Sequence, residues 1–177
     1  MLVSLVRFQS SAPLPFDIHR SAGMMLKRFV GPALLAALFA SACRNINVVT
    51  ASYATLDEAR MAGAVSGGYL PEGLPPSARD IREAHDPESR RHWALFSFSP
   101  DEADHLRRLI GAEEVSVDGQ TCDVPGRIEW WPLVLRNQLE AERIRATGLA
   151  TYRSTAGDLL FAVNWSQGRA YLWTAGG

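Results

Sequence analysis

An apolar segment that ends in small residues and a cysteine limits how much of this 177-residue chain is left to form a folded domain. Lys27 and Arg28 precede the apolar residues 29–40, and Ala42 and Cys43 follow them. A membrane-spanning helix needs about 20 apolar residues, so this segment is too short to be one. Basic residues, an apolar segment and a small-residue cleavage site, in this order, are typical of a secretory signal peptide. About 135 residues then remain for the folded domain, a size that supports one hydrophobic core.

The cysteine that follows the small residues resembles the lipobox of bacterial lipoproteins, in which Leu and two small residues precede Cys. This chain has Ala40 at the position where Leu is commonest. The resemblance implies that residues 24–42 are a lipoprotein signal peptide, that Cys43 is lipidated, and that residues 43–52 form a tether. Several acyl chains anchor a protein firmly, whereas one chain binds only marginally. A soluble exported protein cut after Ala42 and an uncleaved apolar helix are the alternatives.

Residues 1–23 show neither the helical nor the strand periodicity of a folded segment. The segment VRFQSSAP within them resembles the peptide obtained by reading through the 3′ end of a transfer RNA gene. We therefore expect residues 1–23 to be a mis-annotated extension, with translation starting at Met24 or Met25. A genuine long leader region is the alternative.

Residues 53–177 contain short apolar stretches separated by turn residues, which predicts strands joined by short connections. Residues 80–86 and 92–99 flank the turn segment PESRR as a hairpin, and three more strands end the chain, the last two joined around residues 166–168. Short connections favour antiparallel pairing. We predict a single α+β domain with an antiparallel sheet of about five strands and two or three helices on one face.

Local signals mark the starts of two helices. Thr55 and Glu58 have the spacing of a capping box. Ser99 precedes a proline, and Glu102 lies three residues after it, which predicts a second capped helix. Residues 133–145 are compatible with a further short helix.

Residues 53–86 resemble a family of small uncharacterised bacterial lipoproteins. The shared pattern is a Tyr-led helix, then Gly-aromatic-Leu/Ile-Pro, Leu-Pro-x-Ser-Ala and Ile-x-Glu-x-His-Asp/Asn, seen here around GYLPEGLPPSARDIREAHD. Tyr69 stands where Trp is commoner in the family. The resemblance implies export and anchoring but no particular activity. The matching positions are Tyr53, Gly68, Tyr69, Pro71, Leu74, Pro75, Ser77, Ala78, Ile81, Glu83, His85 and Asp86.

Charge and cysteine content exclude several classes of partner and cofactor. The chain has a formal net charge of -1. The residues before Cys43 hold four basic side chains and one acidic one, so the remainder is more acidic, which gives no bulk attraction to nucleic acid. No cysteine spacing of zinc sites is present, and we expect no cofactor. Cys122 is unpaired if Cys43 is lipidated; otherwise the two can form a disulfide.

Two histidines are the strongest candidates for a chemical site. His85 and His92 lie on either side of the predicted hairpin turn, which makes them candidate cross-strand neighbours, with Glu83 or Asp86 nearby. Imidazole and carboxylate groups together can bind a transition metal. A solvated hairpin end is the interpretation that we favour. A thiol nucleophile at Cys122 is less favoured, because no histidine lies near it in the sequence.

Aromatic residues are concentrated in the second half of the chain. Tyr171 and Trp173 have the period-two spacing of one strand face, and Trp165 is expected to meet them across the last hairpin. A packed core is the favoured interpretation. An exposed aromatic surface for a glycan or a protein partner is the alternative.

Three functions are compatible with these features. We favour a membrane-anchored envelope lipoprotein, on the periplasmic face of the outer membrane in a Gram-negative bacterium, whose domain is a non-enzymatic binding or structural module with a possible envelope protein partner. A tethered immunity or inhibitor-type protein is the first alternative. The second is a metal-assisted enzyme that uses His85 and His92.

Overall fold

Short stretches rich in β-branched and aromatic residues form most of the fold, with brief helices between them. The computed structural model describes residues 48–176, which belong to one compact unit. Cys43 and the predicted signal peptide lie outside the described residues. In chain order the elements are β1 (Val49–Thr55), α1 (Leu56–Met61), β2 (Arg79–His85), β3 (His92–Ser97), α2 (Ala103–Leu109), β4 (Thr121–Cys122), β5 (Asn137–Gln138), α3 (Ala141–Ala146), β6 (Ala150–Arg153), β7 (Leu159–Asn164) and β8 (Arg169–Thr174).

Six of these strands form one antiparallel sheet in the order β1-β2-β3-β8-β7-β6. β4 and β5 pair separately as a short two-stranded ribbon. The predicted single α+β domain with an antiparallel sheet is confirmed. The sheet is larger than the five strands expected, and each helix has only six or seven residues.

Both faces of the sheet are covered, since alternate residues of the central strands point into two separate clusters. We call one the histidine face, which contains Ile81, Phe96 and Leu172 together with α1 and α2. We call the other the tryptophan face, which contains Trp93 and Trp173 together with α3. The expectation that the helices lie on one face is wrong. All six residues of β7 are buried, so apolar side chains on both sides of the sheet require cover.

Most differences from the sequence prediction are at the ends of elements. Residues 49–52, assigned above to the tether, belong to β1. The Thr55 hydroxyl accepts a hydrogen bond from the Glu58 amide at 3.2 Å, as a capping box requires. Ser99 makes no such side-chain cap, and a 3₁₀ turn precedes α2. The Glu102 carboxylate instead accepts from the Ser77 amide at 2.8 Å, because the loop before β2 packs beside this turn.

The last hairpin depends on a glycine. Gly168 has φ +59°, and there is no room for a side chain on its Cα atom, because a Cβ built there would lie 2.0 Å from the Phe98 carbonyl oxygen. The Gly168 carbonyl accepts from the Phe98 amide at 2.7 Å. Only glycine combines this conformation with such a close approach. No helix within residues 48–176 is long and apolar enough to cross a membrane.

Candidate functional site

The register of β2 and β3 brings the two candidate histidines together. His85 ends β2, His92 begins β3, and the two are direct partners across the strands. The cross-strand arrangement predicted from the sequence is therefore confirmed. Even-numbered residues of β3 and odd-numbered residues at the end of β2 point to the histidine face, so both rings lie on that face at one end of the sheet.

A tight hairpin turn holds the two histidines in register. The Asp86 carboxylate accepts hydrogen bonds from the Ser89 hydroxyl at 2.6 Å and from the Glu88 amide at 2.9 Å. Both bonds lower the pKa of Asp86, and the bond from the Ser89 hydroxyl has the larger effect. The guanidinium of Arg91 lies 3.9 Å from the same carboxylate. Arg90 has φ +58°, the left-handed conformation that closes the turn. The carboxylate of Asp86 is thus occupied within its own turn.

Glu83 lies beneath His85 as a buried carboxyl group. Its residue is only 2% exposed, and its Oε2 atom is 3.1 Å from Nδ1 of His85. The ring of Tyr69 stacks on the ring of His85, with 3.7 Å between the ring centroids and 8° between the ring planes. Gly68, with φ +78°, turns the chain so that Tyr69 reaches this position. Because Nδ1 is engaged by Glu83, Nε2 is the ring nitrogen of His85 left for a ligand.

Burial sets the electrostatics of this pair. Loss of solvation raises the pKa of Glu83, and the hydrogen bond and charge of His85 only partly offset it. Tyr53 lies close enough for the same carboxylate to add to the effect of burial in raising the pKa of its phenol. A buried carboxyl group with a raised pKa beside a histidine is typical of functional sites.

His92 has one satisfied and one unsatisfied ring nitrogen. The Thr174 hydroxyl accepts from the His92 backbone amide at 3.0 Å and lies 3.3 Å from Nδ1. That hydroxyl hydrogen is then free to donate to Nδ1, which favours the tautomer with the proton on Nε2. Among the described residues, Nε2 of His92 is buried without a hydrogen-bond partner. Burial lowers the pKa of His92, and the Arg90 carbonyl and Asp158 carboxylate act in the opposite direction.

These groups line a cavity that we call the histidine cleft. Its volume is about 480 Å³, within the range of ligand pockets. A second cavity, of about 280 Å³, shares Gly68 and His92 with it and extends over the histidine face toward Leu159. The residues lining the histidine cleft are Gly67, Gly68, Tyr69, His85, Asp86, Pro87, Arg90 and His92.

The two carboxylates that a metal site at these histidines would need already have other hydrogen-bond partners. Glu83 is hydrogen-bonded to His85, and Asp86 holds the turn. Within residues 48–176 no group of three or more His, Cys, Asp or Glu side chains is arranged to hold a metal ion.

Cys122 lies in the apolar core of the tryptophan face and is 2% exposed. Burial raises the pKa of its thiol to about 12. A nucleophilic cysteine needs a lowered pKa, so the thiol at this position has the properties of a core residue.

The aromatic residues divide between the two faces. Trp173 is buried, and Tyr171 shares its face; the ring of Trp131 meets both edge-on, at 6.1 and 5.7 Å. The expectation that Trp165 joins them is wrong. Trp165 follows the odd-numbered residues of β7 onto the histidine face and packs against the cluster there. Its indole N–H donates to the Tyr152 hydroxyl at 2.9 Å. The guanidinium of Arg107 lies 4.4 Å above its ring.

A larger open groove of about 610 Å³ runs along the outer strands β1 and β2. Arg82, Arg127 and Trp130 are among its lining residues. Its polar groups are spread along an exposed strand, whereas those of the histidine cleft converge and include buried ionisable groups. We therefore take the histidine cleft as the candidate site.

Two components of the histidine cleft were not foreseen as parts of a site. Tyr69 is part of the family pattern, and Arg90 is part of the turn segment PESRR. The family pattern could have pointed to Tyr69, because the Gly-aromatic and Glu-x-His elements stand at fixed positions within it. Their spacing in the sequence does not show, however, that the loop with Tyr69 folds over the end of the strand with His85.

Comparison with protein families finds a similarity in the first half of the sheet. The model of the YbbD head domain matches residues 47–97, less than a third of the chain. Neither the curated proteins nor the solved structures include a match. The matched segment spans β1 to β3 and includes Tyr69, Glu83, His85 and His92. Over these residues, the chain is similar to the YbbD head domain.

Proposed function

We propose that this protein is a bacterial envelope lipoprotein, anchored through Cys43, whose domain is a binding module with the histidine cleft as its binding site. The order of basic, apolar and small residues before Cys43 supports the anchor. In a Gram-negative cell the periplasmic face of the outer membrane is the proposed location.

The observation that carries the binding role is the convergence of polar groups on one cavity. The histidine cleft has two histidines paired across strands, and a buried carboxyl group fixes one of them. Its volume matches a small ligand, and ligand pockets typically combine apolar walls with a few positioned polar groups. Tyr69 and Pro87 provide such walls.

Intact mass spectrometry of the protein extracted from its native membranes tests the anchor. We expect a chain that begins at Cys43 and carries acyl groups, and a Cys43→Ala variant that lacks them and leaves the membrane fraction. An unmodified Cys43 in the native protein, or a chain that starts elsewhere, would contradict the proposal.

Native mass spectrometry of the same detergent-solubilised protein tests the binding role. We expect a small molecule that stays bound in the native protein and is lost in Tyr69→Ala, which removes one wall of the cleft. Tyr171→Ala is the matched control, since Tyr171 is also partly buried but lies on the tryptophan face. Loss of the bound molecule in both variants, or in neither, would remove the cleft as its site.

A further inference from the structure

The charges around the histidine cleft indicate which ligand it accepts. The Asp86 carboxylate already accepts hydrogen bonds from its own turn, and the guanidinium of Arg91 lies 3.9 Å from it. Arg91 also lies 3.3 Å from the Asp123 carboxylate. Arg90 is exposed, lines the cleft and forms no ion pair within residues 48–176. The guanidinium of Arg90 is therefore available to a ligand anion, whereas the Asp86 carboxylate is occupied within its own turn.

The buried pair behind the cleft adds a second donor without adding net charge. One shared proton lies either on the Glu83 carboxyl group, which then donates to Nδ1 of a neutral ring, or on the His85 ring, which gives an ion pair, and the pair has no net charge in either form. In both forms Nε2 of His85 carries a proton that it can donate into the cleft. A ligand anion placed there faces both this N–H and the guanidinium of Arg90.

We propose that the histidine cleft binds a small organic carboxylate, which accepts hydrogen bonds from Nε2 of His85 and the guanidinium of Arg90 while its apolar body lies between Tyr69 and Pro87. This inference rests on the proposed binding function and names its ligand class. Arginine presents paired N–H groups that match a carboxylate, and charge-assisted hydrogen bonds are stronger than neutral ones. Nε2 of His92, which has no hydrogen-bond partner within residues 48–176, is a further donor among the residues that line the cleft.

The test is an NMR titration of the detergent-solubilised full protein, labelled with ¹⁵N in its histidine rings. Benzoate is the probe, and benzamide is its uncharged counterpart of nearly equal size. We expect benzoate to give a saturable change in the His85 ring signals and benzamide to bind at least about tenfold more weakly, the factor that corresponds to 1.4 kcal/mol. His105, on α2, serves as an internal reference whose signals stay unchanged.

A pair of arginine variants shows whether charge is what the cleft recognises. Arg90→Asn removes the guanidinium, and Asn tolerates the left-handed conformation that position 90 adopts. We expect this variant to lose at least about tenfold in benzoate affinity while its benzamide binding is unchanged. Arg108→Asn, on an exposed position of α2, is the matched control and is expected to bind benzoate as the unmodified protein does.

The outcomes separate the ligand class from the site. Equal affinity for benzoate and benzamide would overturn the carboxylate proposal but keep the cleft as a binding site. Absence of any saturable change at His85 with either probe, up to the solubility limit, would overturn both proposals. Unchanged benzoate binding in Arg90→Asn, with the fold verified by circular dichroism, would overturn the role of Arg90 and with it the inference.

Discussion

The two faces of the sheet treat a buried ring nitrogen in opposite ways. On the tryptophan face, Nε1 of Trp131 donates to the Leu135 carbonyl at 2.7 Å, and its ring packs edge-on against neighbouring aromatic rings. On the histidine face, Nε2 of His92 is buried beside two cavities and has no hydrogen-bond partner within residues 48–176. The ring nitrogen on one face has its acceptor, and the one on the other face is left as an unused donor.

This difference indicates which part of the domain stabilises the fold and which part serves another purpose. An unsatisfied buried donor costs about 1–3 kcal/mol, so a chain selected only for stability gains by removing it. Departures from full satisfaction are concentrated at functional sites in natural proteins. The contrast therefore predicts that substitutions on the two faces have opposite effects on stability.

The largest effect is expected from Trp131→Ala on the tryptophan face. Trp131 is 2% exposed and meets three other aromatic rings, so truncation removes buried area and leaves a cavity. We expect the free energy of unfolding to fall by about 3–5 kcal/mol in urea denaturation. Trp130→Ala, at a partly exposed neighbour, is the control and is expected to cost clearly less. Equal losses would mean that Trp131 is not the centre of this core.

A matched pair of substitutions at the two ring nitrogens gives the next effect. Trp131→Phe keeps an aromatic ring but leaves the Leu135 carbonyl without its donor, and we expect a loss of about 2 kcal/mol. His92→Leu removes a donor that has no partner among the described residues, and the Thr174 hydroxyl that loses Nδ1 is partly exposed and can bond to water. We therefore expect stability between unchanged and about 1 kcal/mol higher. The measurement is urea denaturation of both variants at pH 7.

The opposite signs of these two changes are the decisive point. If His92→Leu destabilises as much as Trp131→Phe, then His92 is a fully used structural residue, and the comparison between the faces fails. A benzoate titration of His92→Leu then separates a structural role from a binding role.

The smallest effect concerns pH and acts only on the histidine face. The pKa of Glu83 is raised above 4.5 in the folded protein, so stability falls as pH rises through the window above that value. The pKa of His92 is lowered below 6.5, so stability falls as pH drops through the window below that value. The two groups therefore change stability in opposite directions as pH rises.

Single variants separate these two contributions. Relative to the unmodified protein, Glu83→Gln is expected to be more favourable at pH 7 than at pH 5, and His92→Gln more favourable at pH 5 than at pH 7. Free energies of unfolding at the two pH values check the signs, and a variant with the same offset at both would show that its group does not titrate in this window.

Local signals in the sequence predicted local structure well. The hairpin around PESRR and the capping box at Thr55 follow from neighbours in the chain, and both are confirmed. The failures arise where distant segments compete. Glu102 bonds to Ser77 from another loop rather than closing its own cap, and residues 49–52 become a strand because β2 offers an edge to pair with.

The candidate site was predictable only as far as strand pairing allowed. Proximity of His85 and His92 follows from a hairpin turn of short length, which the sequence shows. The stacking of Tyr69 on His85 depends on how the loop after α1 folds back over the sheet, and the burial of Glu83 depends on that same cover. Neither is encoded in the spacing of the residues concerned.

The register of the first three strands has a consequence for orientation in the cell. Val49, the first residue of β1, pairs with His85, which in turn pairs with His92, so the chain joins the domain at the cleft end of the sheet. If Cys43 carries the proposed lipid, the attached end of this domain is also the end that holds the histidine cleft. The cleft would then sample solutes in the layer next to the bilayer, and the opposite rim of the sheet, at Thr55, Ser97 and Arg169, would be presented outward to the rest of the envelope.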